Sequence, residues 1–563
     1  MPTASLRFHT ARWLLAGLLS GLLAMPQALA DDPASQQLRE QQRTLQQLEH
    51  QQRLQRWQQR ERPSATPTPS SSPHEPDTHC WPTPGVRLAG NQSLSTPALE
   101  RTLRPLLRPC MGVADINRLL KAITERYVQA GYPTSRPYLA RQPEPGEPLE
   151  IVIVEGFVES IELAGADLPL SLQGAFPDLL GHPLYLPDLE QGLDQLNRLR
   201  AYDVVADLSP GELQGGTQVL LGARQVSSRW HLDGRLDNRG SELTGRHRLN
   251  LSLGLDSPLN LNDDLRLSLV STLFGAPGES RGASLYYSLP YGPWTFALNA
   301  SEIAYRSPIP HGRQVSSGNS RFLGMSAERV LWRNPQGMLS ASARLDHKRL
   351  VNRITGVVAG VQSPTLTTLE TGINLLWLDG GLWNAYLGIA QGLDGFGADR
   401  KAQGTLAPAP QFRKYRASLL HLRQGPAQRP WRWQSELNLQ YSRDVLFAVE
   451  QQLLSDDSAV RGFRQYTVAG ASTGVWRNTL SQPLPLSLPY GLEVRPVVGL
   501  DLGWARLFHG QPSQRLAGAA VGVELSMPGS RLRLDYQHAL YASDLPRRCL
   551  EPGFWVLDWT LNI

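Results

Sequence analysis

From about Ser227 to the C-terminus, apolar and polar residues alternate with a period of two. Leu249, Leu251, Leu253 and Leu255 interleave with Asn250, Ser252 and Gly254. Leu265, Leu267 and Leu269 interleave with Arg266 and Ser268, and Leu532, Leu534 and Tyr536 with Arg531, Arg533 and Asp535. Trp433, Leu437, Leu439 and Tyr441 do the same against Gln434, Glu436, Asn438 and Gln440. Successive side chains of a strand point to opposite faces, so each segment predicts a strand with one apolar and one polar face. Upstream the period changes. Ile116, Leu119, Leu120, Ile123 and Tyr127 recur at helical spacing, with Asp115 placed to cap the start and Gly131 the end. Leu189, Leu193, Leu196 and Leu199 predict a second helix over 188–199, with Asp188 and Gln191 at capping-box spacing. β-branched residues over 149–155 and around 160–163 predict strands. The pattern divides the chain into two small α/β modules, 80–157 and 158–226, followed by a long alternating region, 227–563.

Alternation is compatible with a soluble β-sandwich, which also hides one face of each sheet. Two features favour a membrane barrel. A single sandwich does not need so long a region, and arginine on a sandwich's buried face would be costly, whereas a water-filled lumen accepts it. The alternation runs to the end through Trp555, Leu557, Trp559, Leu561 and Ile563. At about 10 residues per strand plus turns and outer loops, the region allows about 16 strands without separating 14 or 18. Composition fits: the 563 residues are 41% hydrophobic and 19% charged, with mean hydropathy -0.29. Apart from the N-terminus there is no run of about 18 apolar residues, so no transmembrane helix is expected. A barrel escapes that test because only alternate residues meet lipid.

Residues 1–30 read as a secretory signal peptide: Arg7 and Arg12, an apolar core from Trp13 to Ala24, and Ala28-Leu29-Ala30 at the cleavage site. A Gln-rich segment within 31–62 lacks Gly and Pro over Ser35 to Arg62 and predicts a helix about 40 Å long. Its thin stripe of Leu38, Leu45, Leu48, Leu54 and Trp57 cannot face lipid, because the polar faces would go unsatisfied. The residues alone read as a solvated or coiled-coil helix, or as a helix inside a wet barrel. The Pro/Ser/Thr-rich stretch 63–79 is an extended linker. Export implies an oxidising compartment, which pairs Cys80 with Cys110 and leaves Cys549 a lone thiol near a late loop. The net charge of +5 comes from scattered basic residues without aromatic interleaving, which speaks against nucleic acid. The 12 His are dispersed. No metalloprotease, serine-hydrolase or phosphate-loop pattern is present, so neither catalysis nor a cofactor or metal is expected, and a barrel-borne lipase is disfavoured.

One loop carries the family signal. Val460-Arg461-Gly462-Phe463 is followed by Gly470, Gly474 and Arg477-Asn478-Thr479-Leu480, which resembles the inward-folded loop of outer-membrane barrels with periplasmic POTRA domains. The most similar group is the two-partner secretion transporters (the haemolysin/filamentous-haemagglutinin transporter family). Ile123 to Tyr127 with Gly131-Tyr132-Pro133 and Val154-Glu155-Gly156 resembles the first POTRA domain. Leu189 to Leu199 resembles the helix of the second. Asp237-Asn238-Arg239-Gly240 and Tyr286 to Trp294 look like the opening barrel strands. The sequence departs from the family pattern at Ser455-Asp456-Asp457, at Thr479 and at its final Ile563.

The resemblance implies 16 antiparallel strands, POTRA domains at 80–157 and 158–226, and a plug helix at 31–62 inside the pore. It implies that Arg461 meets an acidic residue of the inner wall, for which Asp501 is the matching position. It also implies transport of a large unfolded secreted partner, without ATP, from an outer-membrane site reached through lipid and the barrel assembly machinery. Insertion of other barrels is the alternative within the same superfamily.

Overall fold

The computed structural model describes Ser35, Leu38, Arg39 and residues 80–563, except 166–167, 242–243, 274–276, 310–313, 401–406, 427, 456–457 and 487. The signal peptide, the linker 63–79 and most of the Gln-rich segment 31–62 lie outside the described residues.

In the first α/β module, Val86–Ala89 runs parallel to Leu149–Val154, which pairs antiparallel with Arg136–Leu139 on its other side. The helix Val113–Gln129 presents Ile116, Leu119, Ile123 and Tyr127 to that sheet and closes a core with Leu99, Ile151 and Ile153. Asp115 is not the N-cap. Gly112 takes that position, and Asp115, three residues on, accepts from the Gly112 backbone N–H through Oδ2 at 3.3 Å. The carboxylate still satisfies a first-turn donor, from inside the helix rather than before it. Glu155 accepts from the Tyr127 hydroxyl at 2.8 Å and from the Ser93 backbone at 2.7 Å. Burial, then this hydrogen bond, pushes the Tyr127 pKa up. A disulfide joins Cys80 and Cys110, whose Cα atoms lie 5.5 Å apart. It ties the paired strands Cys80–Pro82 and Cys110–Gly112.

The second module sets Gly216–Val226 between Phe157–Ala164 (parallel) and Tyr202–Pro210 (antiparallel). Its helix spans Leu186–Leu196, earlier than the 188–199 of the leucine pattern. Pro187 lies in the first turn, where its missing N–H costs nothing. Asn197 ends the helix by bridging the Val204 backbone, accepting at 2.6 Å and donating at 2.8 Å. Leu199 still joins the core, from beyond the helix.

Sixteen long antiparallel strands close a barrel, from Trp230–Asp237 to Phe554–Asn562. A two-residue bridge, Val357–Val358, hangs on one outer hairpin. The first and last strands pair directly, from Asp237↔Asp558 to Asp233↔Asn562. The two faces differ as the alternation demands. Leu500 and Leu502 are 51% and 42% exposed on the outside, while Asp501 between them is fully buried. Trp555 and Trp559 face out on the last strand, and Val556 and Asp558 face in.

Candidate functional site: the inward-folded loop and its wall

Between Arg432–Tyr441 and Ser472–Ser481 the chain does not extend away from the barrel. It folds into the lumen, where Leu454, Ala459, Val460, Phe463 and Val468 pack against the inner-wall residues Val475, Ala505 and Ala539. Arg461 is the largest fully buried side chain among the described residues. Its Nε donates to Asp501 Oδ2 at 2.6 Å and its Nη2 to Oδ1 at 2.6 Å, the two-pronged geometry that favours arginine over lysine. The Arg461 backbone N–H donates to the same Oδ2 at 3.0 Å. Nη2 also reaches the Asn478 carbonyl at 3.0 Å and Thr479 Oγ1 at 3.4 Å, so Thr479 sits inside the anchor.

The wall opposite is shaped to receive the loop. Gly499, Gly503 and Gly518 share the inward face with Asp501, and Asp501 and Gly518 are register partners. A Cβ at Gly499 would strike the Arg461 guanidinium, one at Gly503 would meet Leu454 and Val460, and one at Gly518 would collide with the Arg461 carbonyl. Gly462, at φ +94°, adopts a backbone that L side chains avoid and lies against the His538 backbone. Glu551, from an outer loop, receives three successive backbone donors, Arg464, Gln465 and Tyr466, at 2.8, 2.9 and 2.6 Å. Neither the glycine track nor Glu551 lies in a sequence motif that marks its role. The only available signal was the period-two spacing of Gly499, Asp501 and Gly503, which places them on one face.

The three described N-terminal residues are helical and buried. Leu38 packs with the barrel residues Tyr305, Phe322, Leu350 and Leu366 and with Phe447 and Val449 of the folded loop. Arg39 Nη1 donates to the Ala448 carbonyl at 2.6 Å.

The second α/β module docks on three inner turns of the barrel. Arg333, beside one turn, meets Gln191 at 2.8 Å and Asp194 at 2.7 Å. Arg198 donates to Ser288 Oγ at 2.6 Å and to the Asn262 carbonyl at 2.7 Å. Gly292 N–H donates to the Gly174 carbonyl at 2.8 Å. Burial pushes the Arg198 pKa down. Among the described residues, His231, Asp256 and Asp264 bring potential metal ligands within 4.8 Å of one another at this junction. Both carboxylates are already engaged, Asp264 by Arg266 at 2.8 Å and Asp256 by the Ala201 N–H at 2.8 Å. Cys549 is an exposed thiol in the outer segment before the last strand.

The model of the haemolysin secretion/activation proteins ShlB/FhaC/HecB matches residues 215–525. A ShlB-type POTRA model matches 81–156 and a second POTRA model 157–210. The haemolysin transporter ShlB of Serratia marcescens is 36% identical over 492 residues, covering 86% of this chain and 84% of that protein. HpmB of Proteus mirabilis, also a haemolysin transporter, is 33% identical over 474 residues, 82% of each chain. The structure of CdiB from Escherichia coli superposes with a TM-score of 0.84 at 29% identity, covering 94% of this chain and 99% of that one.

Proposed function

The chain belongs to the haemolysin secretion/activation protein family ShlB/FhaC/HecB, and from that membership we infer how it moves its client. It is an outer-membrane two-partner secretion transporter, with its POTRA domains in the periplasm. The POTRA domains capture one large unfolded exported protein by adding a strand of it to a sheet edge. The client then threads the barrel in extended form. No ATP is spent, because folding outside biases the motion. Residues 31–62 close the resting lumen as a plug, and the linker 63–79 lets that plug leave without disturbing its neighbours. The barrel assembly machinery inserts the chain among outer-membrane lipid.

The observation that carries this reading is the occupied lumen. The loop lies inside the barrel, pinned through Arg461 and Asp501, and the described N-terminal residues are buried beside it. Such a pore must rearrange before a polypeptide passes, which suits a gated secretor better than an open porin. Deleting the chain tests it: the culture supernatant should lose one large protein, and an unchanged supernatant would sink the reading. The client's own activity, whether cytolysin, adhesin, growth inhibitor or haem scavenger, is a property of the client.

A further inference from the structure

A basic patch interrupts the apolar outer face of the barrel. The strands Glu279–Tyr291, Trp294–Pro308, Val315–Asn334 and Gly337–Ile354 are consecutive neighbours. Gly292 lies in an inner turn, where the second module docks, so Arg281, Glu302, Arg321 and Arg349 lie toward the outer end. All four are exposed, on the same face as the exposed Leu285, Leu323 and Met325. Glu302, Arg321 and Arg349 stand side by side in register. Glu302 accepts from Arg321 Nε at 3.0 Å. Arg349 is left directly opposite a like charge, which destabilises a strand pair, and among the described residues it forms no ion pair. Farther out on this face, Arg281, Arg306 and Arg353 outweigh Glu279. At the inner end Trp294 stacks on Phe296. From Trp294 to Glu302 is about 26 Å of strand, or about 20 Å of height at a tilt of about 40°. That sets the patch near the outer margin of an apolar band about 25 Å tall.

We propose that this patch binds a phosphorylated lipid of the outer leaflet, with a phosphate between Arg321 and Arg349 and the acyl chains on Leu285, Leu323 and Met325. Continuity and charge select that occupant. The patch prolongs the lipid face without a break, so its ligand lies in the membrane, and its excess of positive charge calls for an anion. A phosphate between the two guanidinium groups turns their repulsion into attraction, and the attraction is stronger at this low-dielectric margin than in bulk water. Arginine suits the task, because its fork takes two phosphate oxygens at once and is weakly hydrated. Its aliphatic stem lies along apolar surface while the charged head reaches the headgroups. Elsewhere the face ends in aromatic rings, as where Tyr415 lies beside Tyr441, and such rings suit an interface without choosing a headgroup. The arginine sector does choose one.

The test uses the full chain in dodecyl maltoside micelles, with bisphosphorylated lipid A as the probe and bound lipid counted by native mass spectrometry across a titration. Arg349→Gln should weaken binding about tenfold, the size expected for losing a charge-assisted hydrogen bond, and adding Arg321→Gln should weaken it further. Lipid A stripped of its phosphates should bind the parent chain at least as weakly as intact lipid A binds Arg349→Gln. Arg515→Gln, at an exposed arginine in another sector, should change nothing. Unchanged binding in Arg349→Gln would overturn the proposal. Equal binding of intact and stripped lipid would overturn it as well, because only the acyl chains would then be recognised. Full displacement by millimolar inorganic phosphate would do the same, since it marks a site for a free anion. Equal losses in Arg349→Gln and Arg515→Gln would reduce the contact to unselective charge attraction and sink it too. Heat-modifiable gel mobility checks that each variant is folded. Where Arg349→Gln is not, Arg349→Lys keeps the charge and loses the fork; a smaller loss is then expected, and no loss would overturn the proposal.

Discussion

Arg461 and Asp501, 40 residues apart, form one buried unit in which a loop arginine grips a barrel-wall carboxylate through its guanidinium and its own backbone N–H. Both side chains are almost wholly removed from solvent, at 1% and 0% exposed. Breaking such a pair by removing one partner costs about 3–5 kcal/mol, chiefly because the other charge is left buried.

Arg461→Lys keeps the charge but loses the fork. Secretion of the client should fall while the barrel still inserts, and Asp501→Ala should behave alike. The double variant should be little worse than either single, because the two residues act as one unit. Client recovered from supernatants, set against heat-modifiable barrel in membranes, checks this. Additive losses would mean the residues work independently.

Gly518→Ala should mimic loss of the anchor without touching either charge. The new Cβ would meet the Arg461 carbonyl, a backbone atom with no rotamer to escape into. The expected outcome is displacement of the loop, seen as a gain of protease or maleimide access near Phe463, together with a secretion defect. Overpacking of this kind costs about 1–3 kcal/mol. A variant that secretes normally with a protected loop would show that the glycine track is not needed.

Deleting residues 31–62 should raise single-channel conductance in planar bilayers, since Leu38 and Arg39 would no longer fill space between the folded loop and the wall. Secretion can survive, because the segment must leave for a client to pass. Unchanged conductance would count against a resident plug.

A soluble fragment of residues 80–226 should bind the N-terminal region of the client at micromolar concentration and compete with the full transporter for it. The two modules have separate apolar cores, one on Leu119, Ile123 and Ile151, the other on Leu189, Leu196 and Leu221. No detectable pull-down would remove the docking role proposed for the POTRA domains.

The sequence by itself determined the division into two α/β modules and an alternating region, because those signals are local, while the strand number came from the family resemblance. Period-two alternation separates a lipid face from a lumen face wherever it occurs, so Leu500 and Leu502 had to lie opposite Asp501. Helical spacing placed the modules' apolar cores, although it set the second helix two residues late, because Pro187 starts it before the leucine pattern does. The loop motif stood out through resemblance. Tertiary structure alone decided which inward groups meet across the lumen. The glycine track matters only because Gly518 lies in register with Asp501. Glu551 and Glu450 look in the sequence like ordinary surface carboxylates. One becomes a triple acceptor and the other a buried partner of both Lys348 and Lys414 only once strands far apart in the chain are closed into a ring. Ring closure fixes relative strand register, and no short-range pattern encodes that register across such separations.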